Sequence, residues 1–116
     1  MSVKSRERDR ACMLLAAGAA GYALQVDRDV IIGQTRGTSE VAFARQVAMY
    51  LTHVAFELSL ARVAVAFERD RSTVAHACHA VEDRRDEDAF DDWIAALEAT
   101  LRETPEPQRA LLVAQS

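Results

Sequence analysis

The sequence predicts an all-α domain of about five to six helices with a helix-turn-helix at its centre. Three observations carry that prediction. Only four glycines and two prolines punctuate 116 residues, too few for a run of β-hairpins, and both prolines fall after residue 104. Apolar residues recur at i, i+3, i+4 and i+7 in segment after segment. The central amphipathic segments are short and joined by brief connections, so the last two must cross steeply rather than lie side by side.

The elements follow in order. Arg6 to Leu24 is helix-compatible throughout, with Cys12, Leu15, Ala16 and Ala19 on one face. Gly18 and Gly21 either weaken this helix or let another segment approach closely. Gln25 to Asp29 reads as a turn into a short apolar piece, Val30-Ile31-Ile32, closed by Gly33, and Gln34 to Glu40 is a polar loop. Val47, Tyr50, Leu51, Val54 and Leu58 then mark an amphipathic helix from Glu40 or Val41 to Phe56. Ser59 is positioned to cap a short helix bearing Leu60, Val63, Ala64 and Phe67. After a tight break at Glu68-Arg69, Asp70 is positioned to cap a third helix carrying Val74, Ala77, Cys78 and Val81. Phe90, Trp93, Ile94, Leu97 and Leu101 form a last stripe bounded by Pro105 and Pro107. Residues 1–103 are read as one domain, with the helix-turn-helix core at 40–84, a packing helix at 88–102 and a tail at 104–116.

Composition excludes several classes. Half the residues are apolar and 28% are charged, which argues against disorder and suffices for a core without metal or disulfide staples. The longest apolar run, Ala11 to Leu24, is shorter than the roughly 20 residues of a membrane span, so no membrane partner is expected. Glu7 and Asp9 do not suit a secretory leader, and Cys12 and Cys78 are too few for a disulfide framework. A cytoplasmic location with reduced thiols follows. The net charge of −4 hides an asymmetry: residues 1–81 carry ten Lys/Arg against eight Asp/Glu, whereas residues 82–116 carry four against ten. The acidic balance therefore belongs to the C-terminal third and leaves room for a nucleic-acid-binding face before it.

With its apolar stripe inward, the helix from Asp70 turns Ser72, His76, His79 and Asp83 outward, with Arg71 at its start. An exposed first turn of Arg71, Ser72 and Thr73 suits the major groove. Arginine forks onto guanine edges, hydroxyls reach bases or phosphates, and the helix N-terminus favours phosphate. An ordinary solvated helix start accounts for the same pattern.

Residues beyond that turn carry a resemblance. Ala44-Arg45-Gln46-Val47-Ala48-Met49-Tyr50-Leu51, then Leu58-Ser59-Leu60 with Ala64 and Phe67, then Arg69-Asp70-Arg71-Ser72-Thr73-Val74 with His76-Ala77-Cys78, resemble the C-terminal DNA-binding domain of the bacterial replication initiator DnaA. The likeness reaches back through Ile31 to Gly37 and covers roughly residues 12–85. It implies a helix-turn-helix fold of the Trp-repressor-like, DnaA C-terminal type. It also implies that Asp70, Arg71, Ser72 and Thr73 read bases and phosphates, with His76 further along the same face. Arg45 and Gln46 match positions that grip the phosphate backbone; Arg62 and Arg69 are grouped with them. Arg36 matches a basic loop that reaches the minor groove. This chain departs from the family by having Arg71 where histidine is usual, by a single basic residue in the loop, and by a turn at Phe67 to Asp70 that lacks glycine and is one residue shorter. A Gly-x-x-x-x-Gly-Lys-Ser/Thr motif is absent and the only lysine is Lys4, so nucleotide hydrolysis is not expected.

The reading is thus a nucleoid-associated binder of double-stranded DNA, monomer or homodimer, that regulates transcription or replication initiation without a cofactor. The competing reading is a protein-interaction adaptor on the same fold, using the acidic C-terminal third to hold another regulatory protein. His76, Cys78 and His79 do not converge on one helix face, so no metal site is expected. His53 is placed on an exposed flank, within reach of a phosphate or simply at the surface.

Overall fold

The computed structural model describes residues 2–104, and the expected tail lies outside them except for Thr104. Six helices run in order: α1 (Val3–Leu24), α2 (Arg28–Ile32), α3 (Ser39–Ala55), α4 (Leu60–Phe67), α5 (Arg71–Arg84) and α6 (Asp88–Arg102). Among the described residues there is no strand. No helix of the described residues is long and apolar enough to cross a membrane.

Local chemistry sets most boundaries. Ser2, Thr38 and Ser59 each turn a side-chain oxygen onto a backbone N–H of the first turn of α1, α3 and α4, satisfying donors that have no intrahelical partner. Asp27 does the same for α2 through the Asp29 N–H at 2.7 Å. Asp70 occupies the corresponding position before α5, but its carboxylate makes no capping bond, contrary to its predicted cap role. Gln25, Glu57 and Glu68 all sit in the left-handed region at φ 55 to 59, so three of the connections turn on non-glycine residues. Glu68 performs the turn glycine would otherwise make, with its N–H on the Val65 carbonyl and the Arg69 N–H on the Ala64 carbonyl. The glycine missing from this turn therefore leaves the helix-turn-helix connection closed.

The core lies on α3, which touches α1, α2, α4, α5 and α6. Met13, Ile31, Val47, Leu51, Val63, Val74, Val81 and Ile94 are completely or almost completely buried there. Each such aliphatic side chain withdrawn from water contributes about 1.5–3 kcal/mol. Gly21 shows why a small residue is needed near the end of α1: a Cβ there would stand 2.4 Å from the Val26 carbonyl oxygen. At Gly18 the nearest neighbour would be an Arg28 methylene at 4.0 Å, so the close approach is Gly21's alone.

The described part of the acidic third, residues 82–104, is fastened to the core. Arg84 lies over the rings of Phe43 and Phe90 at 4.6 and 4.4 Å, and Phe90 meets Trp93 at 5.6 Å, which joins α5 to α3 and α6. Arg85 donates to Asp91, Glu98 and the Tyr50 hydroxyl, and that hydroxyl donates to Glu82 at 2.9 Å. Burial pulls the Arg85 guanidinium pKa down, but Asp91, Tyr50 and Glu98 together outweigh it and raise the pKa above its ordinary value. These interactions hold the C-terminal end of α5, and thereby fix the direction in which its other end points.

Candidate nucleic-acid interface

α5 buries Val74, Ala77 and Val81 and exposes Arg71, Ser72, Thr73, His76 and His79. Val74, Ala77 and Val81 recur every three to four residues, which directs one stripe into the core and leaves the first turn outside it. Arg71, Ser72, Thr73 and the Asp70 carboxylate make no side-chain hydrogen bond or ion pair among the described residues. Cys78, expected on the buried stripe, is only partly buried at its edge. Burial pushes its thiol up to about 11, with the Glu82 charge acting in the same direction, so it is a poor nucleophile at neutral pH.

Two depressions flank α5. A cleft of about 250 Å³ between α3 and α5 brings together Arg45, Gln46, Arg69, Thr73 and His76. On the other side, Tyr50, His53, Leu60, Ser72, Ala75 and His79 line a largely apolar groove of about 510 Å³. Five of the sequence-predicted residues thus share one cleft, and Ser72 lies on the opposite flank of the same helix.

Arg45 is turned inward. It is 9% exposed, and its guanidinium donates to the carbonyls of Ile31 (2.7 Å), Val30 (2.9 Å), Thr35 (3.0 Å) and Gly33 (3.3 Å). A five-residue helix such as α2 leaves its last carbonyls without helical partners, and the arginine supplies donors to them. Burial, followed by the nearby Arg69 charge, lowers its pKa from the usual arginine value. The resemblance matches Arg45 to a position on the DNA backbone; in the structure its donors serve carbonyls of the chain.

Arg69 is partly buried and points the same way, donating to the Gly33 carbonyl at 2.8 Å and to Gln34 Oε1 at 2.7 Å. Arg62 has a partner within the chain as well. Grouped by sequence with backbone-positioning cations, it faces α1 and holds the buried Asp9 carboxylate through Nε (2.8 Å) and Nη2 (2.5 Å). Charge and periodicity could not reveal that partner, because Asp9 lies 53 residues away. His53, expected on an exposed flank, is partly buried with Nδ1 2.6 Å from the Leu58 carbonyl.

Arg36 sits in the loop between Thr35, whose carbonyl is held by Arg45, and Gly37, whose φ of +71 favours glycine. A Cβ at Gly37 would also press on Val41 at 2.9 Å. Arg36 itself is exposed and makes no hydrogen bond or ion pair among the described residues. The same residues hold no group of three or more His, Cys, Asp or Glu placed to bind a metal ion.

Comparisons with known proteins agree with this geometry. A family model described as the bacterial dnaA protein helix-turn-helix matches residues 21–81. The chain is 41% identical over 64 residues to the chromosomal replication initiator protein DnaA 2 of Chlamydia muridarum, a match covering 53% of this chain and 14% of that protein. It is 35% identical over 77 residues to the chromosomal replication initiator protein DnaA 1 of Protochlamydia amoebophila, covering 66% of this chain and 16% of that protein. A crystal structure of a DNA replication initiation factor superposes with a TM-score of 0.75 at 26% identity, covering 86% of this chain and 31% of the other.

Proposed function

The chain belongs to the bacterial DnaA helix-turn-helix family, and from that premise we propose that it binds double-stranded DNA in a sequence-specific manner through the opening turn of α5. Matches to the curated initiators span only 14 and 16% of their length, so the proposal concerns the DNA-binding part and no more. The observation that carries it is the uncommitted polar turn at Asp70, Arg71, Ser72 and Thr73. These side chains are exposed and unpaired among the described residues, at the positive end of a 14-residue helix.

Each has a role its chemistry supports. Arg71 donates to guanine O6 and N7, Asp70 accepts from a cytosine amino group, and Ser72 and Thr73 donate to bases or phosphates. Gln46 and His76, on the rim of the α3–α5 cleft, add polar contacts, and Arg36 enters the adjacent minor groove. On this reading the chain is a nucleoid-associated, cytoplasmic regulator of transcription or of replication initiation. It acts without nucleotide hydrolysis, in keeping with the missing phosphate-binding motif.

Selection of bound duplexes from a random pool, followed by titration at several salt concentrations, tests the proposal. The expected result is a defined motif whose log affinity falls with log salt at a slope near −0.9 for every phosphate contact. A chain that recovers no motif and binds no duplex at low salt is instead the adaptor. That second reading draws on the exposed acidic side chains of Asp83, Asp86, Glu87, Asp88 and Asp92.

A further inference from the structure

We propose that Arg69, with Arg45 behind it, is a positioning residue: a carbonyl clamp that locks the Arg36 loop to the start of α5, so that both groove contacts form one rigid unit. This inference rests on the DNA-binding reading and concerns how that site is built.

The clamp has two layers. Arg45 gathers the carbonyls of residues 30, 31, 33 and 35, and so joins the end of α2 and the loop to α3. Arg69 adds the second layer. Its backbone lies one residue before the helix N-cap Asp70, while its guanidinium reaches back 36 residues to the Gly33 carbonyl and grips Gln34 beside it. Gln34 Nε2 in turn points to the Phe67 carbonyl at 3.5 Å, at the end of α4. Gly33 thus accepts from both arginines, and Arg36 follows three residues later.

The physical consequence concerns entropy. A loop with one cation gains little from a single minor-groove contact if it must order itself at the moment of binding, because fixing each residue costs about 1–2 kcal/mol. A loop ordered in advance loses much less on binding. Using two arginines internally leaves fewer cations for phosphate, yet makes Arg36 more effective. Displacing Arg69 should therefore matter even though it need not touch DNA.

Arg69→Lys decides between clamp and phosphate contact. Lysine keeps the charge that a phosphate contact needs, but its compact ammonium does not reproduce the planar fork that holds Gly33 and Gln34 together. If the clamp exists, amide hydrogen exchange at Gly33, whose N–H donates to the Val30 carbonyl and whose own carbonyl both arginines hold, accelerates in the free variant. Duplex affinity drops about tenfold with an unchanged salt slope, and Arg36→Ala costs much less in the Arg69→Lys background than in the parent. Unaltered exchange at Gly33 overturns the proposal. So does wild-type affinity for Arg69→Lys, combined with a slope that is shallower by about 0.9 for Arg69→Gln. Strict additivity of the Arg36 and Arg69 changes overturns it as well. The exchange measurement needs no DNA, so failure of the parent to bind any duplex counts against the DNA reading and not against loop ordering.

Discussion

Arg62 of α4 holds Asp9 of α1 through two parallel hydrogen bonds, 2.8 Å from Nε to Oδ2 and 2.5 Å from Nη2 to Oδ1. The Asp9 side chain is 3% exposed and the Arg62 side chain 39%, so one partner is buried and the other only shielded. Asp9 raises the Arg62 pKa through that hydrogen bonding, and the first helix of the helix-turn-helix is thereby tied to the N-terminal helix. Arg62→Ala should lower stability in urea denaturation by about 2 kcal/mol, since it strands a buried carboxylate beside a partly wet surface. The slope of duplex affinity against salt should stay unchanged. A slope shallower by about 0.9 would return Arg62 to the DNA backbone.

Arg71→Ala should leave stability within about 0.5 kcal/mol, because the side chain is exposed and unpaired among the described residues. Discrimination at one base pair of the selected motif should weaken by about 1–3 kcal/mol. Competition binding with single-base variants of the motif measures this.

Gly18→Ala and Gly21→Ala should act in opposite directions. The first adds a methyl with no neighbour closer than 4.0 Å and should stabilise by about 1 kcal/mol through helix propensity. The second places Cβ 2.4 Å from the Val26 carbonyl and should destabilise by about 1–3 kcal/mol. Thermal melts of the two variants, side by side, make the comparison.

Alkaline pH should weaken the fold in two stages. Burial lifts the Cys78 thiol from 9.0 to about 11 and the Tyr50 hydroxyl from 10.0 to about 12. The folded chain therefore keeps protons that the unfolded chain releases, and stability falls as pH rises. Below pH 9 both contributions are intact; the first is lost by about pH 11 and the second by about pH 12. Tyr50→Phe should remove the upper stage from a plot of urea midpoint against pH. Its persistence in that variant would assign the stage to another group.

Helix positions were largely legible in the sequence. Spacings such as Val47, Tyr50, Leu51, Val54 or Val74, Ala77, Val81 reflect helix geometry, and the Ser59 oxygen caps as expected, since both signals act over a few residues; the Thr38 cap, inside the stretch read as a loop, was not foreseen. The outward turn of Arg71, Ser72 and Thr73 follows from the same local rule. The Asp70 cap failed because residue type permits a capping bond but does not compel one.

The partners that the cations find within the chain were not legible in the sequence. Arg36, Arg45, Arg62, Arg69 and Arg71 carry the same group, and no pattern of spacing separates them. Their fates depend on acceptors that are remote in the chain: the Asp9 carboxylate for Arg62, and the carbonyls after α2 for Arg45 and Arg69. An arginine points inward when folding brings uncompensated oxygens within reach, and outward when it does not. Short-range periodicity thus established the helices and the exposed turn, whereas the sorting of arginines between interior clamp and free surface had to await long-range packing, because hydrogen-bond partners exist only once distant segments meet.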